Sequence, residues 1–97
     1  MPFVRHQTLT ASTVATFTVT GNPAQIEILS RNGLGEVYVS YDGTANPANP
    51  TVAGNDFDVI PAIAGAGVVI GEIGSSDQNV VKVISASATT ISVRGIQ

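Results

Sequence analysis

The chain has no cysteine and no tryptophan, a single histidine, three Phe and two Tyr among 97 residues. Without cysteine there is neither a disulfide framework nor a Cys-based zinc site. The missing disulfide also argues against a free secreted module of this size. Charge is scarce: four Lys/Arg and seven Asp/Glu make up 11% of the chain, with a net charge of −3. A small soluble domain carries about 25–35% charged residues on its surface. The four cations, Arg5, Arg31, Lys82 and Arg94, are scattered along the sequence, so no basic cluster marks a nucleic-acid partner. No run approaches the ~20 apolar residues needed to span a bilayer, and no membrane partner is expected. The opening MPFVRHQTLT lacks the apolar centre of a signal peptide. Helix periodicity is also missing, since no segment keeps apolar residues at i, i+3, i+4 and i+7 over three turns.

What is present is 43% hydrophobic residues with positive mean hydropathy, and Thr, Ser, Asn and Gln supplying the polarity in place of charge. The length suits one domain, 1–97, with 1–10 an extended arm or an edge strand. That composition implies apolar surface that meets a partner or further copies of the chain.

Strand signals are dense. Residues 3–10 form a short first strand. Residues 14–20 (VATFTVT) alternate, with Ala15, Phe17 and Val19 on one face and three threonines on the other, as in a half-buried antiparallel strand. Gly21-Asn22-Pro23 stops it. Residues 24–31 place Ile26 and Ile28 together, and residues 36–41 align Val37, Val39 and Tyr41. Between them Asn32-Gly33 is the strongest short hairpin signal in the chain. It predicts that these two segments pair, with a bulge at Leu34-Gly35. Asp42-Gly43 makes another turn, and residues 44–55 form a loop with Pro47, Pro50 and Gly54, long enough to be functional. Residues 56–60 form a short strand ended by Pro61, and residues 68–73 another, interrupted by Gly71. A polar loop covers 74–79. Residues 80–86 (VVKVISA) are apolar on both faces except at Lys82, which marks a central or interface strand. Residues 89–94 turn Ile91 and Val93 inward. Seven or eight short strands spaced by turns predict an all-β fold, a small antiparallel β-sandwich.

Candidate chemistry is thin. His6 has no second ligand or ordering acid that the sequence places beside it, so it reads as a surface or edge-strand residue. Asp42, Asp56 and Asp58 flank the long loop and, with Asn55 and Thr44, offer oxygen ligands of the kind Ca²⁺ takes. EF-hand spacing is missing, and turn aspartates commonly bond their own backbone. Gly65-Ala66-Gly67 lacks the Lys and the helix of a phosphate loop, and Asn49-Pro50-Thr51 has proline where a glycosylation site excludes it. Tyr41 falls in phase with the core, while Tyr38 falls on the other face and is the better surface anchor. No catalytic residue, cofactor site or metal site is assigned.

Several stretches resemble small β-sandwich virion proteins of tailed bacteriophages. They are Asn32-Gly33, GEVYVSYDGT at 35–44, PTVAGNDFDVIP at 50–61 and VVKVISASATTISVRG at 80–95. In that group a strand ending in an Asp-Gly turn leads to a Pro-Thr-X-X-Gly-X-Asp loop, then a Val-Ile-Pro strand end, then a C-terminal strand pair. Residues 1–30 carry none of the likeness, and Ile91 stands where the pattern has an aromatic. The resemblance implies a non-enzymatic capsid decoration (cement) protein located on the virion and made in the host cytoplasm. Its partners would be the major capsid protein and neighbouring copies of itself, with a trimer as the implied assembly. A tail or fibre-base subunit is the alternative within structural proteins. A carbohydrate-binding module using Tyr38, Asp42 and Asp56 is the alternative outside them. The candidate contacts lie in the two extended, low-charge segments: Phe3, Val4 and Arg5 near the start, and Thr44, Asn46, Pro47, Asn49, Pro50 and Val52 in the loop, together with Tyr38.

Overall fold

The computed structural model describes residues 3–21, 23–55, 57–71 and 78–96, with the backbone alone described for Gln78. Eight strands run in order: β1 (Val4–Thr8), β2 (Ala15–Thr20), β3 (Gln25–Ser30), β4 (Val37–Ser40), β5 (Asp58–Ile60), β6 (Gly67–Ile70), β7 (Gln78–Ser85) and β8 (Thr90–Ile96). They form two four-stranded sheets, ordered β1-β8-β3-β6 and β2-β7-β4-β5. Every pairing is antiparallel. The all-β sandwich expected from the alternating pattern is therefore the fold.

The alternation places the core. Phe17 and Val19 of β2, Ile26 and Ile28 of β3, Val37 and Val39 of β4, Val81 and Val83 of β7, and Ile91 and Val93 of β8 fill the space between the sheets with Leu9 and Ile60. Each such aliphatic or aromatic side chain stabilises the fold by about 1.5–3 kcal/mol relative to leaving it in water. Tyr41 packs against this core from the edge, and its hydroxyl donates to the buried Asn79 Oδ1 at 2.9 Å.

The hairpin expected at Asn32-Gly33 does not form. β3 and β4 lie in different sheets, so the turn carries the chain across the sandwich. Gly33 does take the left-handed conformation, φ +62°, but Asn32 ties the turn to β8. Its Oδ1 accepts from the Thr90 N–H at 3.1 Å and from the Leu34 N–H at 3.4 Å. Leu34-Gly35 belongs to this crossover and is not a ladder bulge. The same arch recurs between β7 and β8, and the two arches nest: β3 pairs with β8 and β4 with β7. Where they meet, Ser85, Thr89 and Ser30 are buried. Ser85 and Thr89 share a 3.1 Å hydrogen bond, and a side chain on Gly35 would come within 3.0 Å of Ser85 Oγ. Burial of these hydroxyls is affordable because each has a partner. Among the described strands, only β4–β5 is a connection that stays within one sheet, and it holds the long loop.

Strand limits shift little from the expected ones. β6 ends at Ile70, and the rest of the stretch expected at 68–73 lies outside the described residues apart from Gly71, as does Asp56. β7 begins at Gln78 and sits between β2 and β4, the central position its two apolar faces implied.

Candidate functional site

Two regions hold the residues singled out from the sequence, and they lie on different sheets. The first is the loop at 44–55. On β7, Val80 and Ile84 alternate with the core residues Val81 and Val83, so they point to the outer face of the second sheet. They are nevertheless only 6% and 7% exposed. The loop explains this. Pro47 and Pro50 are buried, and Lys82, which shares that outer face, donates through Nζ to Asn46 Oδ1 at 2.8 Å and Asn49 Oδ1 at 3.1 Å. The loop is folded back over the sheet as a cover and is not an arm that reaches outward. Its driving force is the pair of aliphatic side chains that β7 would otherwise leave in water. Pro47 and Pro50 are thus turned inward, away from any contact role. Thr44, Asn46, Asn49 and Val52 stay exposed on the loop's outer side.

Turn chemistry holds the loop's ends. Asp42 Oδ1 accepts from the Thr44 N–H at 2.9 Å and from its hydroxyl at 2.6 Å. Those bonds, the hydroxyl's first, hold the Asp42 carboxyl below its ordinary 3.8. A depressed folded value stabilises the fold above the unfolded pKa, and that contribution disappears as pH falls through the folded value. The expected result in a ¹³C-detected titration is an Asp42 midpoint below 3.8 that moves upward in Thr44→Val. An unshifted midpoint in that variant would contradict the assignment. At the other end, Tyr38 is half-buried on the outer face and donates to Glu36 Oε1 at 3.1 Å. Partial burial first, then the Glu36 hydrogen bond and charge, hold the Tyr38 phenol above its ordinary 10.0, with the Ala53 backbone pulling the other way.

Lys82→Met tests the clamp. It keeps the apolar stem and removes the ammonium that binds two asparagines. The expected cost is about 1 kcal/mol, with faster amide exchange confined to residues 46–53. Unchanged exchange there would mean that the prolines alone hold the cover.

The second region is β1, at the edge of the first sheet. Phe3 is half-buried against the core, Val4 is exposed, and the Arg5 guanidinium lies 5.3 Å from the Phe3 ring centroid. His6 sits on the outer face of the sheet, with Nδ1 2.6 Å from Ser92 Oγ and 3.2 Å from Arg31 Nη1. Arg31 has only N–H groups to offer, so in its contact with His6 the guanidinium is the donor. Beside them Arg94 pairs with Glu27 at 2.8 Å. This Arg31–His6–Arg94–Glu27 face went unnoticed in the sequence. Its alternation was readable on each strand, but the β1–β8–β3 order that gathers it was not.

Asp42 and Asp58 line one groove with Tyr41, Val69 and Ile70 at the β5–β6 edge. Asp42 is committed to Thr44, and the described residues include no group of three or more His, Asp or Glu that would hold a cation. Large aliphatic side chains stand out instead: Leu34 and Ile63 are 63% and 62% exposed, Val69 and Val4 just over half. Leu34 and Ile63 belong to turns that meet at one end of the sandwich, because Gly33 packs directly on the Ile63–Ala64 backbone. Comparison with family models, with curated proteins and with solved structures finds no match for the chain.

Proposed function

We propose that the chain is a non-catalytic structural protein of a bacteriophage particle, decorating the capsid and stabilising it by contact. The observation that carries this reading is the exposed aliphatic set, Leu34, Ile63, Val69 and Val4, on a chain whose charged residues make up only 11%. Contiguous apolar surface left in water marks an interaction site, and of this set Leu34 and Ile63 lie on turns that meet at one end of the sandwich. The resemblance of its turn-and-strand motifs to those of small virion proteins suggests which kind, and the sandwich that the resemblance implies agrees with the fold described above. The proposed partners are the major capsid protein and further copies of the chain, a trimer being the assembly the resemblance suggests.

The mechanism is mass action. A protein that binds the assembled shell but not its separated subunits stabilises the shell by its binding free energy, about 1.4 kcal/mol for each tenfold by which its free concentration exceeds the dissociation constant. Contact residues would come from that aliphatic set and from the exposed members of the two regions, Val4, Arg5, Thr44, Asn46, Asn49 and Val52, with Tyr38 at the border of the loop. Within the fold, the Tyr38 hydroxyl donates to Glu36 and Asp42 Oδ1 accepts from Thr44, so both side chains have structural roles of their own.

The test is reconstitution. Particles made without the protein are incubated with the purified chain, pelleted, and heated. The expected result is stoichiometric co-sedimentation and a higher temperature of genome release. Failure to co-sediment would overturn the reading, and binding of only a few copies per particle would favour the tail or fibre base.

A further inference from the structure

The two edges of the first sheet match one another. Gly95 N–H donates to Phe3 O at 2.8 Å and Leu9 N–H to Thr89 O at 2.9 Å. In an antiparallel ladder the hydrogen-bonded pairs alternate, so Phe3, Arg5, Gln7 and Leu9 direct their backbone groups at β8. Val4, His6 and Thr8 direct theirs away from the sheet. On β6, Ser30 N–H donates to Ala66 O at 2.8 Å. By the same alternation Val68 and Ile70 face β3, while Gly67 and Val69 present N–H and C=O outward. The residues with outward backbone groups carry their side chains on the same outer face in both strands, as a shared ladder requires.

Polarity agrees. Along β1-β8-β3-β6 each neighbour is antiparallel to the last, so the two edges run in opposite directions. A second copy placed beside the first, in the same orientation, brings its β1 antiparallel to β6. The lengths are comparable, five and four residues. β6, Gly-Val-Val-Ile, has neither charge nor proline to blunt it, and an unblunted edge is a template for another strand.

The flanking charges are complementary. At the β1 side, the exposed Arg5 lines a groove with Gln7, Thr16 and Thr18. At the opposite side, the exposed Asp58 and Asp42 line the groove beside Val69 and Ile70. Arg5 and Asp58 both sit in the core-facing phase of their strands, at the open flank between the sheets. We propose that copies of this chain join head to tail, β1 of one adding to β6 of the next, with Arg5 set against Asp58 and Asp42. The charges select this direction. Joining β1 to β1 opposes arginine with arginine, and joining β6 to β6 opposes the two acidic grooves. Such a contact closes into a ring or continues as a filament according to its rotation. The inference rests on the part of the proposed function in which copies touch one another and is independent of the shell.

Sedimentation velocity of the purified chain at low and high salt tests it, across concentrations up to about 1 mM. Four variants complete the set. Val69→Pro removes an outward N–H that β3 does not use, so the fold persists while strand addition is blocked. Arg5→Glu and Asp58→Lys each set like charges across the contact, and the double variant restores opposite ones. The expected result is salt-weakened association of the native chain and a monomeric Val69→Pro with native circular dichroism. Association should fall about tenfold or more in each single charge variant and recover in the double variant. A native chain monomeric throughout, a Val69→Pro variant that associates as well as the native chain, or a double variant no better than the singles would overturn the proposal. Retained particle binding by a monomeric Val69→Pro would show that this edge has no part in decoration while leaving the decoration reading intact.

Discussion

Phe17→Ala is expected to cost about 3–5 kcal/mol of stability. Phe17 is 4% exposed and belongs to the core cluster between the sheets. It lies on β2, opposite Val81, in a strand whose other face is threonine. That strand forms an edge of the second sheet, so the aromatic ring is its main hold on the core. Removing the ring deletes the largest core side chain and leaves a cavity that the stiff β-branched neighbours fill poorly. A domain of this size has about 5–15 kcal/mol in all, so the loss takes a large share of it. At roughly 4–8 °C per kcal/mol for such a domain, the melting temperature should fall by at least about 12 °C. A melt within 2 °C of the native one, a span well under about 1 kcal/mol, would mean that the sheet faces are misassigned.

Gly33→Ala is the second large expectation, at about 3 kcal/mol or more. Two costs combine. The residue sits at φ +62°, a conformation that costs a non-glycine residue about 1–2 kcal/mol. An added Cβ would also lie 2.4 Å from the Ala64 backbone nitrogen and 2.7 Å from the Ile63 carbonyl carbon. Backbone atoms cannot rotate aside as a flexible side chain does, so the turns at 31–36 and 61–66 must separate. Gly33→Asn divides the two costs. Asparagine tolerates the left-handed region but brings the same Cβ. It should therefore remain destabilising by about 1–3 kcal/mol, as urea midpoints would show. Native stability in Gly33→Asn would assign the whole effect to φ and remove the close packing of the two turns from the account.

These two sites mark what the sequence made legible and what it did not. The in-and-out phase of Phe17, Ile26, Ile28, Val39, Ile91 and Val93 was readable because a half-buried strand alternates with period two. The destination of each turn was not. Asn32-Gly33 carries a correct signal for positive φ, yet a crossover between sheets needs that conformation as much as a hairpin does. What distinguishes the two is the Asn32 side chain bonding Thr90, a partner 58 residues away. Lys82 was visible as the one charged residue in a largely apolar strand, but its purpose was hidden. Only the folded loop shows that Asn46 and Asn49 receive it and that Pro47 and Pro50 lie beneath. The Arg31–His6–Arg94 face and the matched β1 and β6 edges depend on strand order, which single-strand periodicity does not encode.

Electron microscopy of purified particles tests the central claim most directly. The account predicts density for this eight-stranded sandwich repeated at equivalent positions over the outer surface of the capsid lattice. Its exposed turns at Leu34 and Ile63 or its open sheet edges should touch the shell or a neighbouring copy. A shell bare of such density in particles shown to contain the chain, or density confined to the tail, would contradict it.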